Sequence, residues 1–259
     1  MDNKELNHFF NEYLRTATFP VAVKVSKTNE LPPKVKRAKD IFGYPIAFCQ
    51  GISMARRFGR TIGFIKEDHA CPLTIPIFGY SDNPDFAVEG NCVYPLYAKT
   101  PEAGAVTQAA TPQMEAGEIG SIVLAPLNKA DFEPDLLLVY GNAAQIVRMI
   151  QGELYNEGGA VTSSFMGRCA CGASIVKPLQ TQKSQVVIPG GGERVFALTT
   201  DDELCFATPA NRIQSVVEGI KGTHDSGVAR IPTLFFGVSA KPKFPPSYAK
   251  LAEYCGMTE

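Results

Sequence analysis

Apolar residues recur at helical spacing in some stretches of the chain and run together in others, and the two patterns intermingle from end to end. Helical spacing predicts helices over residues 3–16, 49–58, 143–155 and 211–220, and more faintly over 103–118. Short apolar runs rich in β-branched residues predict strands, which cover residues 20–25, 61–65, 121–124, 135–140, 160–165, 194–199, 203–207 and 228–238. This mixture predicts a single compact domain of the α/β or α+β class, spanning residues 1–259 around a mixed sheet.

One order of elements occurs twice along the chain. A strand, a helix and a second strand precede Cys71, and the same three elements, predicted at 135–140, 143–155 and 160–165, precede Cys169 and Cys171. The repeat predicts two pseudo-symmetric halves, 1–125 and 126–259, which would bring Cys71 and Cys171 to equivalent places.

Composition and charge exclude several classes of protein. The 259 residues are 45% hydrophobic with a net charge of −1, which excludes a disordered chain and argues against a nucleic-acid or polybasic membrane protein. No apolar run approaches the roughly 20 residues that span a bilayer, and the first residues lack a signal core, so a cytoplasmic location is expected. Residues 1–66 carry a basic excess and residues 67–140 an acidic one, which favours two segments that pack together.

Seven cysteines are the feature that such a composition leaves to explain. In a reducing compartment they do not indicate a disulfide framework, and without a C-x-x-C pair any shared site must be assembled by the fold. Cys49 falls near the start of a predicted helix, Cys71 precedes a proline, and Cys169 and Cys171 lie in a Gly-flanked turn. Thiolates at these four positions favour an iron–sulfur cluster, with Cys92 as the alternative to Cys169. Cys205, inside a predicted strand, and Cys255, near the C-terminus, are expected to serve in packing.

Zinc is the competing metal, because four thiolates also suit its tetrahedral coordination, and His69 could join such a site. Ligands spread over about 120 residues are less typical of structural zinc, which usually staples short knuckles. Neither a P-loop nor a dinucleotide fingerprint occurs.

A Gly-rich segment supplies a different candidate. Residues 189–194, with three glycines and Arg194, offer backbone amides and a guanidinium that could hold an anionic small molecule, although a plain hairpin connection also explains them. Asp201, Asp202 and Glu203 are accounted for as turn residues.

Several short motifs in one order resemble a known family. They are Cys49 with its following helix, residues 68–71, Pro134-Asp135 before LLLVYG, Cys171-Gly-Ala-Ser, and the run from Gly192-Glu193-Arg194 through Asp202-Glu203 to Pro209. Over roughly residues 5–250 the chain resembles an uncharacterised prokaryotic family, domain of unknown function 169, also called ArCR. The resemblance implies that Cys49, Cys71 and Cys171 occupy the family's usual cysteine positions and that Cys169 is less typical. It also implies a setting in anaerobic archaea and bacteria, and it supplies no activity.

The sequence thus leads us to expect an iron–sulfur protein of anaerobic metabolism. Its cluster, expected to be [4Fe-4S], would serve redox chemistry or catalysis on an unknown substrate, since a cluster with three protein ligands leaves an iron open. The alternatives are a non-redox anion-binding protein that uses the 189–194 loop, and an enzyme with Cys71 or Cys171 as nucleophile. The expected partner is a small molecule or a redox protein, with self-association left open and no nucleic acid or membrane.

Overall fold

The structure, a computed structural model, describes residues 1–227, 230 and 244–257. Its centre is one six-stranded antiparallel sheet. The strands are β1 (Val21–Ser26), β2 (Ile62–Ile65), β3 (Ser121–Pro126), β4 (Leu136–Gly141), β5 (Gln185–Val187) and β6 (Leu204–Pro209). The protein is therefore a mixed α/β domain, as the alternation of apolar patterns predicts.

Helices cover both faces of this sheet. Those of eight or more residues are α1 (Asn3–Tyr13), α3 (Phe48–Arg56), α6 (Pro101–Ala110), α7 (Ala143–Leu154), α10 (Ala210–Asp225) and α11 (Pro246–Tyr254). The shorter ones are α2 (Ala38–Phe42), α4 (Thr74–Ile77), α5 (Asp85–Val88), α8 (Lys177–Thr181) and α9 (Gly191–Phe196), with a π-helical stretch at Gly172–Val176. None of the helices over the described residues combines the length and apolar character that crossing a bilayer requires.

The strand order is β2-β3-β1-β4-β6-β5. Exchanging β1, β2 and β3 for β4, β5 and β6 gives the same order read from the other edge of the sheet. The centre of this order is the antiparallel β1–β4 pair, where Ala22 faces Leu137. The exchange matches β2 with β5, which follows Cys169 and Cys171, whereas the repeated element order requires a strand before them at 160–165, where the structure has none. The division at residue 125 itself stays a prediction.

Two hydrophobic clusters lie on opposite faces of the sheet, because successive strand residues point to alternate sides. On β4, Leu136, Leu138 and Tyr140 belong to the cluster beneath α3, while Leu137 and Val139 belong to the cluster beneath α1, α7 and α10. A strand buried on both sides has no polar alternation, which explains the unbroken apolar run at residues 136–140.

Helices α7 and α10 approach each other closely through two glycines. A Cβ on Gly219 would lie 2.1 Å from the carbonyl oxygen of Gly152 and 2.7 Å from Cβ of Tyr155. Only the absence of a side chain permits this contact between the two helices.

Two predicted strands are wrong. Residues 160–165 form no regular structure, and residues 194–199, expected to be a strand, lie instead at the end of α9 and in the turn that follows it. Glu193 explains the second error, because its carboxylate accepts a hydrogen bond from the N–H of Gly190 and so caps a helix where apolar alternation indicates a strand.

Other boundaries also differ. The helical pattern at 103–118 is realised as α6, which ends at Ala110, and β5 is a strand that the apolar pattern does not predict. The strand predicted over 228–238 lies, apart from residue 230, outside the described residues.

Candidate functional site

Five of the seven cysteines line one cavity of about 500 Å³, on the face of the sheet that carries α3. They are Cys49, Cys71, Cys92, Cys169 and Cys171. The remaining two lie elsewhere: Cys205 is fully buried in the core on β6, and Cys255 is exposed just after α11. The fold thus brings to one cavity the four cysteines predicted as metal ligands and also Cys92, the alternative ligand. These five residues come from four separate segments of the chain.

The segments that carry Cys49 and Cys71 are tied together by backbone hydrogen bonds. Ile46 N–H donates to the carbonyl of Asp68 at 3.0 Å, and Ala70 N–H donates to the carbonyl of Ile46 at 2.9 Å. This short parallel bridge fixes the entry to α3 beside the loop that follows β2.

The side chain of Asp68 holds the same loop from within. It is fully buried, and its carboxylate accepts hydrogen bonds from the N–H of Ile65 at 2.8 Å, from the N–H of Lys39 at 3.1 Å and from Nε of Arg37 at 3.2 Å. A buried carboxylate with three donors is fully satisfied, so it is a positioning group for Cys71.

Cys169 precedes a helical segment and Cys171 lies within it, directly before the π-helical stretch, so the turn expected for both residues holds Cys169 alone. Cys169 has a φ of +54°, a left-handed conformation that residues with a Cβ rarely adopt, and its carbonyl accepts a hydrogen bond from Gly172 N–H at 2.9 Å. Such strain persists only where the surroundings enforce it, and it is frequent at functional sites. Here the strained residue is itself one of the cavity thiols.

Cys92 contacts the polar side chain of a neighbouring helix. Its Sγ donates to Oε1 of Gln108 at 3.3 Å, and the same oxygen accepts a hydrogen bond from Nη1 of Arg168 at 3.0 Å. Cys92 is therefore engaged with the amide of a neighbouring helix.

Burial raises the pKa of three of the five cavity thiols, those of Cys49, Cys169 and Cys171. It raises the pKa of Cys49 to about 12, and the nearby charges of Glu193 and Cys71 add to the effect. Burial likewise raises the pKa of Cys171 well above its ordinary value, with further contributions from Cys169, Glu193 and Cys71. These shifts mean that neither thiol is an activated nucleophile, and they reveal that the thiols lie close enough to influence one another.

Behind the cavity lies a buried chain of polar contacts that starts at Glu193. Tyr140 Oη donates to Oε1 of Glu193 at 3.3 Å, and the guanidinium of Arg56 stacks over the Tyr140 ring, 4.3 Å from its centre. Arg56, only 1% exposed, in turn donates to both carboxylate oxygens of Glu203, at 2.6 and 3.0 Å. Glu203 is thus part of the interior and more than a turn residue.

The pKa values of the two carboxyl groups move in opposite directions. Burial raises the pKa of Glu193. Burial also tends to raise that of Glu203, but hydrogen bonds from Arg56 and the N–H of Thr200, with the charges of Arg56 and Arg57, lower it to about 2.

His69, considered as a further ligand, lies in an aromatic cage. Its ring lies 5.2 Å from the rings of Phe64 and Tyr80 and within 6 Å of those of Phe48 and Phe78. Burial lowers the pKa of His69 to about 4, so the ring is neutral. His69 is not one of the residues that line the cysteine cavity.

Arg194 is engaged away from the cavity. Its Nη1 donates to the carbonyl of Thr200 and lies 3.7 Å from Oδ1 of Asp201, so its charge already has a partner. Residues 189–194, expected to be a loop, form the start of α9 from Gly191 onward, and Gly190 to Gly192 line the cavity.

The cavity opens through an apolar rim. Leu96, Tyr97, Val195 and Phe196 line it and are each more than half exposed. Within the residues that the structure describes, no three His, Cys, Asp or Glu side chains are arranged to hold one metal ion.

Three residues of the site have little signal in the sequence. Glu193 could have been found from the pattern of glycines followed by a Glu, which is a helix start, and Arg168 from its place directly before Cys169. Arg56 carries no local signal, because its partners lie 84 residues and more away along the chain.

Comparison with known proteins gives a family without an assigned activity. The model of an uncharacterised ArCR family, domain of unknown function 169, matches residues 10–219. An uncharacterized protein of Methanocaldococcus jannaschii is 29% identical over 204 residues, which cover 78% of this chain and 86% of the relative. No solved structure matches the chain significantly.

Proposed function

We propose that this chain, which belongs to the family of unknown function 169, is an iron–sulfur protein. The proposed ligands are Cys49, Cys71, Cys169 and Cys171, with Cys92 as the alternative to Cys169. The observation that carries the proposal is that cysteines from four separate segments line one cavity.

The donor set fits iron and sulfide chemistry. Thiolate sulfur is soft and polarisable. Cysteine thiolates are the usual ligands of iron–sulfur clusters, and histidines replace some of them in one class. A cavity of about 500 Å³ is far larger than one metal ion, so a group of several atoms matches it better than a single zinc ion does. When bound, a cluster supplies one-electron redox chemistry or an open coordination site for a substrate.

Raised thiol pKa values are compatible with metal binding and oppose nucleophilic catalysis. A coordinated metal deprotonates its thiol ligand outright, whereas a nucleophile needs a thiolate in the free protein. Burial of Cys49 and Cys171 therefore favours the role of ligand over that of nucleophile.

Two features favour Cys169 over Cys92 as the fourth ligand. The left-handed backbone of Cys169 holds that residue in the turn beside Cys171, and its thiol is not tied to an amide. The thiol of Cys92 already donates to Gln108, a contact that ligation would break.

The experiment that tests the proposal is anaerobic purification of the full chain, followed by reconstitution with ferrous iron and sulfide. We expect bound iron and acid-labile sulfide in equal amounts, visible charge-transfer absorption, and an EPR signal in one of the two redox states. Cys49→Ser, Cys71→Ser and Cys171→Ser should each lose most of the iron. Cys255→Ser is the matched control, because this exposed thiol lies far from the cavity in the sequence and does not line it.

Cys169→Ser and Cys92→Ser decide the fourth ligand. We expect the first to alter iron content or the EPR signal and the second to leave both unchanged. Binding of stoichiometric zinc without sulfide, or full iron retention in the Cys71→Ser variant, would contradict the proposal.

A further inference from the structure

Arg168 is a buried cation whose charge has no ion-pair partner among the described residues. It is only 7% exposed, its Nη1 donates to the amide oxygen of Gln108 at 3.0 Å, and its Nε is buried without a partner. It also faces two cavity thiols: Nη1 and Nη2 lie 3.9 and 4.0 Å from Sγ of Cys92, and the guanidinium acts on the thiol of Cys169 through its charge and a side-chain hydrogen bond. Burying a charge without a counter-charge costs free energy, so a bound anion next to this guanidinium would stabilise the folded protein.

Arg148 shows how the same chain buries a guanidinium for structural reasons. Its Nη2 donates to the carbonyl of Ile220 and its Nη1 to Oγ1 of Thr223, both at 2.9 Å, in the last turns of α10. The negative end of that helix compensates the charge. Arg148 and Arg168 both leave Nε without a partner, and Arg168 in addition lines a cavity.

A second cavity of about 220 Å³ adjoins the cysteine cavity at Arg168. The two share Arg168, Ala170, Gly190 and Gly191 in their walls. Among the residues that the structure describes, Arg168 is the one charged residue that lines the second cavity. The other large wall residues, among them Phe165, Val187 and Ile188, are apolar. A single guanidinium in an apolar cavity is the arrangement that selects an acid group on an apolar body.

We propose that this second cavity binds a small organic carboxylate. Arg168 holds the acid group through its guanidinium, which is planar and matches a carboxylate in geometry, and the apolar body lies against Phe165, Val187 and Ile188. Because both cavities share Arg168 in their walls, the acid group lies across this guanidinium from the cysteine cavity, where Nη1 is 3.9 Å from Sγ of Cys92. The anion site therefore belongs to Arg168 and not to Arg194, whose charge is compensated by Thr200 and Asp201.

This inference goes beyond the proposed cluster and stands without it. Binding can be measured by equilibrium dialysis of labelled hexanoate against the full chain, purified without oxygen. Hexan-1-ol tests the acid group, acetate tests the apolar body, and inorganic phosphate tests whether any oxyanion suffices. We expect hexanoate to bind about ten- to a hundredfold more tightly than hexan-1-ol, the difference that a hydrogen bond to a charged group provides.

Variants separate the two arginines. Arg168→Gln should remove the preference for hexanoate over hexan-1-ol, while Arg194→Gln should keep it. Should Arg168→Gln fail to fold, Ile188→Glu serves in its place, because Ile188 is 52% exposed and a carboxylate there would compete for Arg168. Ile188→Gln is the neutral control and should retain binding.

Three results would overturn the proposal. They are equal binding of hexanoate and hexan-1-ol, phosphate binding tighter than hexanoate binding, and loss of hexanoate binding in Arg194→Gln alone. Unchanged hexanoate binding in Arg168→Gln together with an altered cluster spectrum would make Arg168 a counter-charge of the cluster. Hexanoate binding by a protein that takes up no iron and sulfide on reconstitution would sustain this inference and contradict the proposed cluster.

Discussion

Replacing Glu203 by glutamine removes the negative charge at the end of the polar chain behind the cysteine cavity. Glu203 accepts two hydrogen bonds from Arg56 and one from Arg57 at 2.8 Å, and its side chain is only 11% exposed. Glutamine keeps the shape and leaves the buried guanidinium of Arg56 without its counter-charge. The Glu203→Gln variant should therefore lose stability without changing the fold.

The magnitude follows from the pKa of the carboxyl group. A drop from the ordinary 4.5 to about 2 corresponds to about 3 kcal/mol of stability at neutral pH. Because the pKa in the folded state is the lower one, this contribution is complete above a pH of about 4.5 and is lost as the pH falls through about 2. At a pH of about 3 it should have shrunk to about 1 kcal/mol.

Urea unfolding followed by circular dichroism measures this effect. The free energies of unfolding of the parent chain and of Glu203→Gln are compared at about pH 7, 5 and 3. Asp201→Asn is the control, since this carboxylate in the same turn is fully exposed and should show no measurable effect. A loss below about 1 kcal/mol at pH 7, or an equal loss at pH 7 and pH 3, would refute the reasoning.

Further predictions concern backbone strain, helix packing and thiol reactivity. Cys169→Gly should be about 1 kcal/mol more stable to urea than Cys169→Ala, because glycine adopts the φ of +54° freely; equal stabilities would exclude strain. Gly219→Ala should cost about 3 kcal/mol in the same assay, since its Cβ would lie 2.1 Å from a carbonyl oxygen, and an unchanged midpoint would contradict this contact. In metal-free protein at neutral pH, iodoacetamide should alkylate exposed Cys255 well before Cys49, because burial raises the pKa of Cys49 to about 12. Mass spectrometry of the peptides measures the order of alkylation, and the opposite order would contradict the burial of Cys49.

The part of the candidate site that could be predicted from the sequence is its cysteines, because metal binding is a characteristic role of this residue type. Cysteines without a pairing scheme, in Gly- and Pro-rich loops, indicate ligands assembled by the fold, and five of the seven do line one cavity. The polar residues around them were not predictable in this way. Glu, Arg and Tyr are common on surfaces, and only burial distinguishes Glu193, Arg56 and Tyr140 from their exposed counterparts.

Arg194 and Arg168 illustrate the same limit from the opposite side. Arg194 follows a run of three glycines, and Arg168 precedes Cys169. Judged from the sequence alone, the glycines favour Arg194 as the anion site. In the fold, Arg194 is turned to the carbonyl of Thr200, whereas Arg168 lies buried between two cavities. Which cation is free for a ligand depends on partners far apart along the chain.

Local patterns in the chain were enough to predict most of the helices and strands and the residue type that dominates the site. Helices α1, α3, α7 and α10 and strands β1 to β4 and β6 follow from apolar periodicity, because those elements bury a face or a whole strand in the core. Tertiary structure alone decided the strand order and the capped start of α9, since neither leaves a mark on local periodicity. It also decided the meeting of five thiols and the isolation of Arg168, because burial and charge pairing are properties of segments brought together in space.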